Sequence, residues 1–165
     1  MRFYGLTLFA SAIVLGACGG GADTSATTDE AAPAAAPAAD APAAAPAGDA
    51  AAAPITGTIH EVKMLGDAQG YRFEPADITV KQGDGIKYVF VSGGPHNVAF
   101  LNIPEAVKAQ LNANIPERMG DLSSKMMLTE GEEVTVSFGN IPAGTYEFDC
   151  TPHAAMNMKG TVTVE

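Results

Sequence analysis

From Ile55 onward, apolar and polar residues alternate with a period of two. Ile78 pairs with Val80, and Ile86, Tyr88 and Phe90 form a longer set. Val134, Val136 and Phe138 follow, then Tyr146 and Phe148, then Val162 and Val164. This period turns one side of a strand toward a core and the other toward water. Gly and Pro interrupt the runs at Gly66, Gly70, Gly83, Gly85, Gly93-Gly94-Pro95, Gly131, Pro142-Ala143-Gly144 and Gly160. Many short strands with regular turns predict an all-β fold, an antiparallel β-sandwich. In the first strand Ile55 and Ile59 share one parity while Val62 and Met64 share the other, so a bulge is expected near His60. One short helix is expected in the 104–119 region. Pro104 suits a first helical turn, Val107 and Leu111 lie four apart, and Pro116 stops the pattern.

The chain before Ile55 reads differently. Arg2 precedes an apolar run from Phe3 to Ala17, too short to span a bilayer comfortably. Residues 1–17 therefore read as a signal peptide. Its end, Leu15-Gly16-Ala17-Cys18, resembles a bacterial lipobox, which would make Cys18 the lipid attachment site; the alternative is an ordinary secretory signal cut near Ala17. Residues 18–54 form an Ala/Pro-rich linker with Pro33, Pro37, Pro42, Pro46 and Pro54. Proline at that spacing blocks the helix that alanine alone would form. A disordered, extended tether is expected, of about 3.1 Å per residue where polyproline-like. The folding unit is then 55–165, long enough to bury a core.

Charge narrows the function classes. The net charge is −10, of which 55–165 carry −6. An acidic domain repels phosphate, so no nucleic-acid partner is expected. Of the two cysteines, Cys18 closes the signal and Cys150 stands alone in the domain. A lone thiol in an exported domain calls for burial or a ligand role.

The segment Cys150-Thr151-Pro152-His153-Ala154-Ala155-Met156-Asn157-Met158 suggests that role. A histidine follows the cysteine by three residues and Met158 follows it by eight. Far upstream, Gly94-Pro95-His96-Asn97-Val98 supplies a second histidine. His96, Val98 and Phe100 share a parity, as do Tyr146, Phe148 and Cys150, so both His96 and Cys150 point inward at strand ends. One thiolate, two imidazoles and a weak thioether form the trigonal type 1 (blue) copper arrangement. Zinc also binds Cys with two His, but gains little from a thioether. Met158 therefore favours copper, and Met156 is the rival for the axial place.

Phe73-Glu74-Pro75, Val80-Lys81-Gln82-Gly83-Asp84, Pro95-His96-Asn97-Val98 and the Cys150–Met158 loop resemble plastocyanin and its bacterial relatives, the cupredoxins. The resemblance spans 71–100 and 128–165. It implies a Greek-key β-sandwich of about eight strands and electron transfer by one copper ion cycling between Cu(I) and Cu(II). It implies that His96 and His153 bind through Nδ1, and that Asn97 ties the two ligand loops together. Two departures stand out. The stretch 104–127 resembles plastocyanin less well, and Asp149 occupies the place before the ligand cysteine where plastocyanins usually carry an aromatic.

An enzyme is not expected. A multicopper oxidase needs histidines beside the blue-copper cysteine, and Asp149 and Thr151 hold those places. Copper storage or delivery is the rival binding role. Methionines at 64, 119, 126 and 127 could suggest a copper-trafficking surface, but gap-filling in the core or beneath the helix is the expectation. His60 is expected on a strand surface. The full reading is an exported monomer, lipid-anchored to a bacterial membrane, with its domain in the periplasm or on the extracytoplasmic face. Its partners would be a redox protein donor and a redox protein acceptor.

Overall fold

The computed structural model describes residues 50–165; the signal peptide 1–17, Cys18 and the linker as far as residue 49 lie outside the described residues. Eight strands form two four-stranded sheets. Strands β1 (Ile59–Asp67), β2 (Gly70–Glu74), β4 (Gly85–Phe90) and β6 (Glu133–Ser137) make the first, in the order β2-β1-β4-β6. Strands β3 (Asp77–Val80), β5 (Ala99–Leu101), β7 (Gly144–Asp149) and β8 (Lys159–Val164) make the second, in the order β3-β8-β7-β5.

The expected sandwich is present, but its sheets are mixed rather than wholly antiparallel. β1 lies parallel to β4 and β3 parallel to β8. After the β1–β2 hairpin the chain crosses to the other sheet for β3 and returns beside β1 for β4. Side-chain alternation is the same for either strand direction, so the pattern carries no sign of this. The bulge expected near His60 is absent. β1 and β4 stay in continuous register from Ile59↔Gly85 to Met64↔Phe90. Ile59 simply faces out, 55% exposed, while Val62 and Met64 are buried.

Between the sheets lie Val62, Met64, Phe73, Ile86, Tyr88, Val136, Phe148 and Val162, with Phe100 and Phe138 in contact across the core. Burying each large side chain contributes roughly 1.5–3 kcal/mol. The Tyr88 hydroxyl is the exception, since it is buried without a hydrogen-bond partner among the described residues.

The expected helix is α1, Glu105–Asn114. Pro104 caps it rather than occupying its first turn, and Ile115, just before Pro116, is extended as proline requires of its predecessor. Val107 and Leu111 are buried. Asn114, also buried, donates to Ser137 O and Gly139 O at 3.0 and 2.8 Å and accepts the Ala53 N–H at 2.8 Å. Gln110 donates to Ala51 O at 3.0 Å. Residues 51–53, which composition assigns to the linker, are thus latched onto the helix. Residues 122–127 then run back beside 96–100. Phe100 N–H donates to Leu122 O, Ser124 N–H to Val98 O, and His96 and Met127 exchange both backbone bonds. This covers the free edge that β5 would otherwise present. Among the described residues no helix is long and apolar enough to cross a membrane.

Candidate metal centre

Three donor side chains meet at one end of the sandwich. His96 comes from the segment between β4 and β5, Cys150 directly follows β7, and His153 lies in a short 3-10 helix, Thr151–Met156. Their ligand atoms all lie within 4.8 Å of one another. The Cys150 sulfur is 3.5 Å from His96 Nδ1 and 3.4 Å from His153 Nδ1. A first-row ion with bonds of about 2.0 Å to nitrogen and about 2.3 Å to sulfur, at angles near 110–120°, sets these atoms about 3.5–3.7 Å apart. The observed spacing thus fits a single small ion with little adjustment.

The loop that presents Cys150 and His153 is closed by its own backbone. His153 N–H donates to Cys150 O at 2.9 Å, Met158 N–H to His153 O at 3.2 Å, and Cys150 N–H to Met158 O at 3.1 Å. Asn157 takes the left-handed conformation, φ 62°, to reverse the chain. Met158 is thereby returned beside Cys150 and is fully buried, whereas Met156 is 54% exposed.

Electrostatics prepares the donors. His96 Nε2 lies 2.9 Å from Ser92 O, a pure acceptor, so Nε2 carries the hydrogen. Burial lowers the pKa of His96, against a smaller raising effect of the Ser92 bond. The neutral ring therefore aims the lone pair of Nδ1 at the cysteine. His153 is likewise pushed down, by burial and then by His96. Burial pushes the Cys150 thiol up, the backbone N–H groups of Asn97 and His153 pull it down, and Asp149 raises it further. A buried thiol with two neutral imidazoles is a set of soft and borderline donors suited to a cation that displaces the thiol proton.

Asn97 and Tyr71 frame the cluster. Asn97 is buried and links three segments. Its Oδ1 accepts the Thr151 N–H at 2.8 Å, and its Nδ2 donates to Thr151 Oγ1 at 3.1 Å and Ser123 Oγ at 3.0 Å. Tyr71 stacks on His153, with ring centroids 3.7 Å apart and planes 15° from parallel. Sequence reasoning missed Tyr71, Ser92 and Ser123. Only the β1–β2 register, which sets Tyr71 opposite Gly66, signals the first.

The comparisons with known proteins converge. The family described as copper binding proteins, plastocyanin/azurin family, matches residues 60–165. The chain belongs to that family. It is 33% identical over 112 residues to plastocyanin of Prochlorothrix hollandica, covering 68% of this chain and 77% of that one. Plastocyanin of Nostoc punctiforme is 35% identical over 107 residues, covering 64% and 73%. The oxidised plastocyanin of Dryopteris crassirhizoma superposes with a TM-score of 0.51 at 31% identity, covering 64% of this chain and all of that one. The chain is thus a cupredoxin, a copper electron carrier rather than an enzyme.

Other residues singled out in the sequence lie apart from the cluster. His60 is half-buried, its Nε2 3.0 Å from Asp84 Oδ2. Met64 and Met127 fill the core and Met126 is half-buried. Met119 corrects the gap-filling expectation: it is 58% exposed, its sulfur 3.9 Å from Asn97 Nδ2. Asp149 is buried.

Proposed function

We propose that His96 and His153 through Nδ1, and Cys150 through its sulfur, hold one type 1 copper ion, with Met158 as a weak axial ligand. The observation that carries this reading is the convergence of three buried donors within 4.8 Å. Bound copper would supply a single-electron couple between Cu(II) and Cu(I). The chain's own residues do the rest. Ser92 O fixes the His96 tautomer, Asn97 holds the two donor loops together, and the buried walls exclude water. Donors held this firmly change little between oxidation states, which suits fast electron exchange.

The domain would pass electrons between redox proteins outside the cytoplasm, as a monomer tethered by residues 18–54 to a lipid on Cys18. The run Leu15-Gly16-Ala17-Cys18 and the Ala/Pro composition behind it support this part. Acylation at Cys18 anchors firmly only if more than one chain is attached.

The metal assignment is tested by titrating the protein with Cu(II). One equivalent should turn it intensely blue, and Cys150→Ser should abolish the colour. A colourless protein after copper loading would falsify the assignment. Mass spectrometry of the native N-terminus tests the anchor: an acylated Cys18 is expected, and a free terminus downstream of it sinks that part.

A further inference from the structure

We infer that Tyr71 is a positioning residue that clamps the imidazole of His153 and closes one face of the site to solvent; this rests on the copper reading above. His153 follows the exposed Thr151 and Pro152 and precedes the half-buried Ala154, yet is only 5% exposed. The stacked Tyr71 ring covers it, and the same ring meets His96 edge-on with centroids 6.3 Å apart. The seat for that ring is built into β1. Gly66 faces Tyr71 across the β1–β2 pair, and a Cβ there would fall 2.6 Å from Tyr71 Cε1 and 2.9 Å from Gly93 Cα. Two glycines thus let the β1 backbone and the donor-bearing loop approach each other, with Tyr71 lying over them.

The two histidines are held by different means. Nε2 of His96 is fixed by Ser92 O. Among the described residues no hydrogen bond is made by Nε2 of His153, so its ring is oriented by the Tyr71 stack and by the 3.4 Å contact of Nδ1 with the Cys150 sulfur. A ring held in place before metal binding loses less freedom when it ligates, and one held afterwards swings away less readily. The remaining exposed sliver of His153 is then a narrow window bounded by Tyr71 rather than an open edge.

The test uses the full chain with Tyr71→Leu, Tyr71→Phe and, should leucine fail to fold, Tyr71→Thr. In metal-free protein, NMR of the imidazole signals reads ring order directly and needs no copper. The aliphatic variant should lose the single orientation of His153 while His96 keeps its own, and Tyr71→Phe should restore wild-type behaviour. After copper loading, release to a chelator should be at least tenfold faster in Tyr71→Leu and unchanged in Tyr71→Phe. A wild-type His153 orientation in the metal-free aliphatic variant overturns the proposal, as does equal loss in Tyr71→Phe. Failure of wild-type protein to bind copper would instead count against the metal assignment, leaving the metal-free result to stand alone.

Discussion

Asn97 and Thr151 hold each other by two hydrogen bonds, although they lie 54 residues apart. The Thr151 N–H and hydroxyl both face the one amide, so the segment bearing His96 and the loop bearing Cys150 and His153 are clamped side by side. With the bond to Ser123 Oγ, the Asn97 side chain joins three segments.

Asn97→Ala should therefore loosen the site and the fold together. It leaves the part-buried Thr151 N–H without its acceptor, which costs about 1 kcal/mol. Chemical denaturation of metal-free protein should show that loss. The copper-loaded variant should remain coloured, because no proposed ligand is removed, but should release copper faster. Unchanged stability and unchanged release would mean the clamp is idle.

The order of residues along the chain makes some of this readable in advance. Spacing alone set Cys150, His153 and Met158 in one loop, and parity turned His96 inward beside them. What escaped depends on register and direction. Tyr71 reaches His153 only because the β1–β2 hairpin pairs it with Gly66, and nothing local to Tyr71 announces that. The parallel β1–β4 and β3–β8 pairs arise from sheet crossovers that leave alternation untouched. The docking of Ala53 was hidden by its Ala/Pro surroundings, since the side chain that captures it, Asn114, lies 61 residues on. Met119 misled because a flexible thioether suits a core and a surface equally.

Tyr88→Phe should stabilise the domain. The Tyr88 ring is fully buried against Phe73 and Phe148, but its hydroxyl finds no partner among the described residues. Burial accordingly pushes its pKa well up. Phenylalanine keeps the ring contacts and removes the orphan group, a gain of about 1 kcal/mol. Thermal unfolding should move up by a few degrees. A lower Tm would show that a buried water satisfies the hydroxyl.

Asp84 should make stability sensitive to acid. Its carboxylate accepts the Lys81 and Thr58 N–H groups at 2.9 and 2.8 Å and faces His60 Nε2. These contacts, the Lys81 bond first and the His60 contact next, lower its pKa from an ordinary 3.8 to about 2. A depressed folded-state pKa stabilises fully above the unfolded value and is lost as pH falls through the folded one. Wild type should thus exceed Asp84→Asn in Tm at neutral pH. The gap should close between about pH 4 and about pH 2. A gap that persists undiminished below that window would contradict the assignment.

Met158 and Met156 compete for the axial place, and their surroundings separate them. Met158 is fully buried, and its carbonyl accepts the Cys150 N–H at 3.1 Å, so its side chain starts beside the sulfur donor. Met156 ends the 3-10 helix and is 54% exposed. A thioether favours the cuprous state, whereas an amide oxygen favours the cupric one. Met158→Gln should therefore keep an intensely coloured protein and lower its reduction potential. The isosteric change at Met156 should alter neither colour nor potential, because its side chain already meets water. Voltammetry of the two variants beside wild type decides between them. A potential that moves with Met156 and ignores Met158 would reverse the axial assignment, while leaving His96, Cys150 and His153 as the equatorial set.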